Sequence, residues 1–215
     1  MAHTKYYNKH GKEVPSVTTV LKILNKPALI GWANYLGFKR QKVDDVLESS
    51  AHIGTSVHFL IECDIMGYGS VLSTGRKNCK SSIMRRYNNY LKWKNTVKIS
   101  PIFMERALSS STFGGTVDFY GYLDDRLTII DFKTSKAFRM SMFIQLAGYV
   151  LLVEEAGYKV ERVAILLVGE KEIKLKTMRR EKLDRYVTVF KTMVYLYYHY
   201  GSLSQDDGWG EDIGK

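Results

Sequence analysis

The stretch Phe113–Lys136, FGGTVDFYGYLDDRLTIIDFKTSK, limits what this chain can fold into more than any other. Two runs of β-branched and aromatic residues flank Asp124-Asp125, and the pattern predicts a β-hairpin turning at that pair. Any loop centred there sets Asp118 directly opposite Asp131, with Cβ atoms about 5 Å apart on one face of the sheet. Lys133 projects from that same face, because strand side chains alternate with period two. Like charges placed opposite each other destabilise a sheet. The neighbouring Thr116-Val117 and Thr128-Ile129-Ile130 predict burial at a cleft floor, where two carboxylates without a cation are driven to take up protons. A divalent cation between them reverses the sign of the interaction. The bland alternative is a solvated pair on an open sheet face, with Lys133 neutralising one acid. The buried context favours a metal site with a lysine beside it.

Charge narrows the partner. The 215 residues carry 32 Lys+Arg against 22 Asp+Glu, a formal charge of +10. A basic surface attracts polyanions, of which nucleic acid is the commonest in a cytoplasm. A basic chain that keeps carboxylates clustered in its middle is suited to holding a metal against phosphates. With two cysteines, Cys63 and Cys79, neither an iron–sulfur cluster nor a four-cysteine zinc site can be built. No apolar run approaches the ~18 residues of a membrane span, and the start, MAHTKYYNKHGK, has no signal-peptide core. The expectation is a cytoplasmic protein, of a bacterial cell or a phage-infected host, with no membrane partner.

The chain reads as one domain over 1–200 with a flexible tail, 201–215. Lys5–Pro15 is expected as an extended arm with a turn at Lys9-His10-Gly11, and Ser16 as the N-cap of a helix Val17–Leu24. Pro27 begins a further helix to about Gly37. Val43–His52 is helical, Gly54-Thr55 interrupts the pattern, and helical spacing resumes to Met66 and closes at Gly67-Tyr68-Gly69. Val71–Asn78 is expected as a loop. Ser81–Thr96 is a helix carrying Arg85, Arg86, Lys92 and Lys94 among Tyr87, Tyr90 and Trp93, either a solvated face or a surface for stacking single strands. A helical part (about 16–96) thus precedes a sheet core (about 102–177). In that core a strand Ile102–Leu108, the hairpin, a helix Ser141–Ala156, a strand Val160–Val168 and its partner Glu172–Thr177 follow in order, before a last helix Glu181–Tyr200. This is a mixed α+β fold: a central mixed sheet flanked by helices.

Gly115-Thr-Val-Asp118 followed by Ile129-Ile-Asp131-Phe-Lys133-Thr-Ser135 resembles the core of the PD-(D/E)XK nuclease superfamily, here in a D…D-x-K form. Gly54-Thr-Ser-Val-His58 upstream and Gln145-Leu-Ala-Gly-Tyr149 downstream resemble the accompanying motifs of the RecB-like exonuclease branch. Pro15-Ser-Val-Thr-Thr19 is similar to the N-terminal signature of the phage and mitochondrial-genome-maintenance exonucleases. The resemblance spans roughly Pro15 to Val168. Two departures stand out: the second acid is Asp rather than Glu, and the four-cysteine cluster of some RecB-like members is missing.

The resemblance implies a restriction-endonuclease-like fold and Mg²⁺-dependent phosphodiester hydrolysis, with Mn²⁺ able to substitute. DNA ends or single strands would be the substrate, in recombination, repair or phage DNA processing, alongside a recombination or replication partner protein. Asp118 and Asp131 would be metal ligands and Lys133 the catalytic lysine. The Phe132 backbone carbonyl would complete the coordination, His58 would add an imidazole, and Gln145 and Tyr149 would face the cleft. Read from the residues alone, His58 can equally bond Glu62 four residues on. Glu105, one strand before the hairpin, either faces the cleft or pairs with Arg106 or Arg126. Glu62 and Glu105 stand as further metal-ligand candidates. A structure-specific endonuclease and a nucleic-acid-binding subunit with a degenerate site are the alternatives to an exonuclease.

Overall fold

A computed structural model describes residues 4–24, 28–68 and 79–206. Its centre is a five-stranded sheet in the order β3 (Ile99–Ser109), β4 (Gly114–Leu123), β5 (Arg126–Lys133), β6 (Arg162–Val168), β7 (Ile173–Arg179). All neighbouring pairs are antiparallel except β5–β6. That parallel pair needs a crossover, supplied by α5 (Met140–Glu155). Strands β5 and β6 are covered on both faces, which is why their sequences are almost continuously apolar. On one side Ile129, Val163 and Ile165 pack under α5, α6 (Asp184–Asp206) and the short α1 (Val17–Val20). On the other, Ile130, Phe132 and Leu166 pack against α3 (Val43–Met66) and α4 (Lys80–Lys94) through Leu60, Ile61, Ile83 and Tyr90. The mixed sheet with helical flanks is the architecture expected from the sequence. Among the described residues no helix is long and apolar enough to cross a membrane.

Several local expectations change. Lys5–Pro15 is not a plain arm: β1 (Tyr6–Tyr7) and β2 (Glu13–Val14) pair as a small hairpin, with Gly11 at φ 74° in its turn. Ser16 caps α1 as expected, its Oγ accepting from Thr19 N–H at 2.9 Å, but α1 passes into a 3-10 turn at Leu21–Ile23. The helix expected from Pro27 is described as α2 (Ala28–Phe38), and Pro27 itself lies outside the described residues, as do Gly69 and the Val71–Asn78 loop. Gly54-Thr55 does not interrupt anything, since α3 is one helix of 24 residues. An interior glycine costs about 1 kcal/mol, which burial of Val57, Leu60 and Ile61 on the same helix outweighs. Helix α3 closes at Gly67, whose φ of 72° lets Tyr68 N–H return to the Cys63 carbonyl at 2.8 Å. The last helix runs to Asp206 rather than Tyr200, so only 207–215 of the expected tail lie outside the described residues.

The helix Ser81–Thr96 is present as α4, but its aromatics are not a stacking surface. Tyr90 is fully buried, and Tyr87 and Trp93 pack partly buried against the same core. Its basic residues are partly engaged within the protein as well, Arg86 with the Val168 carbonyl at 2.9 Å and Lys94 with Asp64 at 2.7 Å, so the helix is not a nucleic-acid platform.

Candidate active site

The site forms where the sheet stops being regular. Pairing between β4 and β5 ends at Phe119↔Ile130, while pairing between β5 and β6 continues to Lys133↔Leu167. Beyond Ile130, β5 therefore leaves β4 and follows β6. The backbone N–H of Phe132, with no β4 carbonyl to meet, donates to Asp118 Oδ2 at 2.9 Å. The hairpin register is the one expected from the turn, but Asp118 and Asp131 do not form a cross-strand pair on one face. Asp118 instead fills the notch between the diverging strands.

A second irregularity aims the acids. Along a regular strand, alternate residues share a face. Val117 and Tyr120 nevertheless both join the core under α5, with Phe119 on the opposite side, so alternation slips once at Asp118. Strand β3 slips at the same level: Phe103 and Leu108 lie on the α5 side and Met104 on the other. Between them Glu105 takes φ 43°, in the left-handed region that non-glycine residues rarely occupy. The result turns Glu105 and Asp118 together towards α3, where His58 Nδ1 lies 3.7 Å from Glu105 Oε1 and 3.7 Å from Asp118 Oδ2. One ligand atom from each of His58, Glu105 and Asp118 falls within 4.8 Å of the others.

His58 does not bond Glu62. Its Nε2–H donates to the Phe132 carbonyl at 2.9 Å, which fixes the ring and leaves Nδ1 facing the carboxylates. A backbone carbonyl holding one ring nitrogen while the other points at acids is the usual outer support of a metal-binding histidine. The Phe132 carbonyl, expected as a ligand, accepts this bond with one of its two lone pairs. Burial by itself lowers the pKa of His58, but Asp118 and Glu105 outweigh it and push the value up to about 9. Glu62 has its pKa raised by burial and by Glu105, so it lies within the field of the cluster without joining the three-residue group.

Asp131 is fully buried. Its Oδ1 accepts from Lys133 Nζ at 2.6 Å, while its Oδ2 is buried with no hydrogen-bond partner among the described residues. Burial, joined by the Asp118 charge, outweighs Lys133 and lifts the Asp131 pKa to about 6. The Asp118 carboxyl is raised as well, first by burial. Burial works against the ammonium of Lys133, yet Asp131 and Asp118 hold its pKa above the ordinary lysine value, so it stays charged. On α5, Gln145 Nε2 donates to Tyr149 Oη at 2.8 Å, and both residues are buried. Burial, Asp118 and Asp131 raise the phenol pKa well above its usual value, so Tyr149 remains a neutral donor. Its ring passes so close to β4 that a Cβ on Gly115 would sit 2.9 Å from Tyr149 Cε1.

The residues suit a divalent cation. Two carboxylates converge with one imidazole, a third carboxylate beside them is bonded to Lys133, and one buried oxygen of that third has no hydrogen-bond partner among the described residues. The structure brings together Asp118, Asp131, Lys133 and His58, and it brings Glu105 in from β3 rather than leaving it paired with Arg106 or Arg126. Arg106 donates instead to Tyr158 Oη at 2.9 Å. What the sequence did not signal is the supporting role of the Phe132 peptide, whose N–H holds Asp118 and whose carbonyl, expected as a ligand, holds His58.

No protein-family model matches the chain, and no curated protein matches it. Among solved structures, the chain is similar to a phage-related exonuclease from Haemophilus somnus 129PT, with 13% identity, 90% of this chain and 96% of that one covered, and a TM-score of 0.43. It is also similar to an alkaline exonuclease from Laribacter hongkongensis, with 8% identity, 89% and 93% covered, and a TM-score of 0.39.

Proposed function

We propose that this protein is a divalent-metal-dependent deoxyribonuclease, an exonuclease of the RecB-like kind acting on DNA ends or single strands. The observation that carries the reading is the partnerless, buried Oδ2 of Asp131, set beside Lys133 and next to the His58, Glu105 and Asp118 group. Asp118, Asp131, His58 and Glu105 would hold the ion, with Mg²⁺ suited to oxygen ligands and to substrate phosphates. Such an ion supplies charge neutralisation of the scissile phosphate and lowers the pKa of a water from ~15.7 towards neutrality.

The chain's own groups do the rest. Lys133, kept cationic by its neighbours, donates from Nζ to oxygens on which charge grows during attack and so favours the transition state over the ground state. It is no general base at neutral pH, because its proton is held too tightly. Phe132 N–H fixes Asp118 and the Phe132 carbonyl fixes His58, so one peptide sets the spacing of two metal-binding side chains. Tyr149, accepting from Gln145, keeps its own O–H to give to the Asp131–Lys133 side of the cleft. The +10 charge of the chain draws the polyanion in.

The test is hydrolysis of end-labelled linear DNA with Mg²⁺ or Mn²⁺, comparing wild type with Asp131→Ala and Lys133→Ala. The reading expects cleavage by wild type and none by either variant. Inert wild type with both metals, or normal cutting by both variants, contradicts it. Covalently closed circular DNA as a second substrate separates end-dependent from internal cutting.

A further inference from the structure

Exposed tyrosines cluster on α6 rather than on α4. Tyr195, Tyr197, Tyr198 and Tyr200 are 62%, 40%, 39% and 75% exposed, on a helix whose core contacts are made instead by Phe190, Met193 and Val194. Exposed rings in such density are not needed to pack the helix. They divide two open clefts. One, of about 810 Å³, is walled by Tyr195 and Tyr198 with Lys12 and Lys191 at its sides. The other, of about 590 Å³, is walled by Tyr197 and Tyr198 with Lys5, Lys22 and Tyr6 opposite. Tyr198 Oη donates to the Thr112 carbonyl at 2.7 Å and forms the ridge between them.

The carboxylates in these clefts are largely matched. Glu154 is held by Arg180 at 2.6 and 3.1 Å, and Glu13 pairs with Lys5 at 2.9 Å. Only Glu155, in the first cleft, stands without such a pairing in the set just described. One wall residue of the second cleft touches the strand that carries Asp118. Tyr6, in its wall, shares a 2.8 Å hydrogen bond with Thr116 Oγ1, and Thr116 lies two residues before Asp118 on β4.

From these observations we infer that the tyrosine ridge of α6, flanked by Lys12, Lys22 and Lys191, is a binding track for single-stranded DNA leading to the Asp118–Asp131 site. Bases stack on flat rings whatever their identity, while ammonium groups at cleft edges meet the phosphates. A duplex hides its base faces and gains nothing from the rings, so the track selects single strands. The inference deepens the nuclease reading by naming the substrate form, and it rests on that reading for where the strand goes.

The experiment is fluorescence anisotropy of labelled oligothymidine in EDTA, where no hydrolysis occurs. Wild type is compared with a Tyr195→Ala/Tyr197→Ala pair and a Tyr195→Phe/Tyr197→Phe pair. Loss of two stacking rings is expected to weaken binding by about tenfold or more. The Phe pair, which keeps the rings and serves as the folding control, is expected to bind like wild type, and affinity for blunt duplex is expected to be the same in all three. Wild-type affinity in the Ala pair overturns the inference, as does equal loss in the Phe pair or an equal fall in duplex binding. Oligouridine bound more tightly than oligothymidine reassigns the track to RNA and overturns it too. So does light scattering that shows a wild-type dimer made monomeric by the Ala pair with oligothymidine affinity unchanged. Failure of the nuclease reading would show separately, as absence of cleavage by wild type with Mg²⁺.

Discussion

Two carboxylate clusters sit near the ends of the central strands, and their electrostatics run in opposite directions. Glu170, just past β6, accepts from Ser82 Oγ at 2.6 Å and from Arg85 at 3.0 and 2.8 Å, with Arg86 at 3.4 Å. Those hydrogen bonds hold its pKa below the ordinary glutamate range. Arg86 in turn donates to the Val168 carbonyl at 2.9 Å and ties α4 to the sheet. That network meets one acid with two guanidinium groups and a hydroxyl, and the atom it leaves without a partner among the described residues is a donor, Arg86 Nε. In the other cluster Glu105, Asp118 and Asp131 share one lysine and one imidazole. Burial raises both aspartates, and Asp131 Oδ2 has no partner. The difference separates a cluster in which donors outnumber the acid from one in which acids outnumber the donors, the imbalance that a cation would correct. Stability alone selects the first arrangement, since unmatched buried acids cost free energy.

The largest effect that could break this contrast is on hydrolysis. Removing Lys133 or Asp131 is expected to reduce turnover of linear DNA by about a thousandfold or more, whereas Glu170→Gln is expected to leave turnover near wild type. Turnover lost equally in Glu170→Gln would mean the clusters act as one unit. Next in size is the response to metal. Saturating Mg²⁺ at a hundredfold excess over its Kd is expected to stabilise the wild type by ~2.7 kcal/mol, read as a rise of several degrees in Tm that EDTA reverses. Asp131→Asn should lose most of that rise, and Glu170→Gln should keep it.

Acidity sharpens the contrast further, because the signs differ. The Asp131 pKa is raised from 3.8 to about 6 in the folded protein. Its contribution to metal-free stability is therefore fully present below 3.8 and is lost as pH rises through about 6. Protons and cations compete for the same oxygens, so the Mg²⁺-induced rise in Tm should be small at acidic pH and grow as pH passes 6. In EDTA at neutral pH, Asp131→Asn should melt higher than wild type. Glu170 behaves in reverse: its pKa is depressed, so its stabilisation is present above the unfolded value of 4.5 and disappears as pH falls through the folded one. Being about a third exposed, it should contribute less than ~1 kcal/mol. Glu170→Gln should accordingly flatten the acid limb of the melting curve by a small amount.

Much of this was legible in the sequence, and the limits have physical causes. The hairpin, its register, the D-x-K end of β5 and the Gln145–Tyr149 pair follow from period-two and period-3.6 patterns that act locally. The placement of Asp118 does not, because it depends on β5 exchanging β4 for β6 as its partner beyond Ile130. That choice is made by a strand about 30 residues away in sequence. The aim of Glu105 depends on a left-handed backbone at a residue with no preference for it, so sequence left its two roles evenly balanced. The Gly54-Thr55 signal misled because local propensity was read without the burial that overrides it. The α4 aromatics misled for a related reason, since a Tyr/Trp stripe at helical spacing looks alike whether it meets core or solvent.

The most direct measurement is a crystal of the protein soaked with Mn²⁺, with the ion located by its anomalous scattering. A peak is expected within coordination distance of His58 Nδ1, Asp118 and Glu105 or Asp131 Oδ2, absent from an Asp131→Asn, Asp118→Asn double variant. A soaked wild-type crystal with no peak among these residues, or with ions bound only at surface carboxylates, would contradict it.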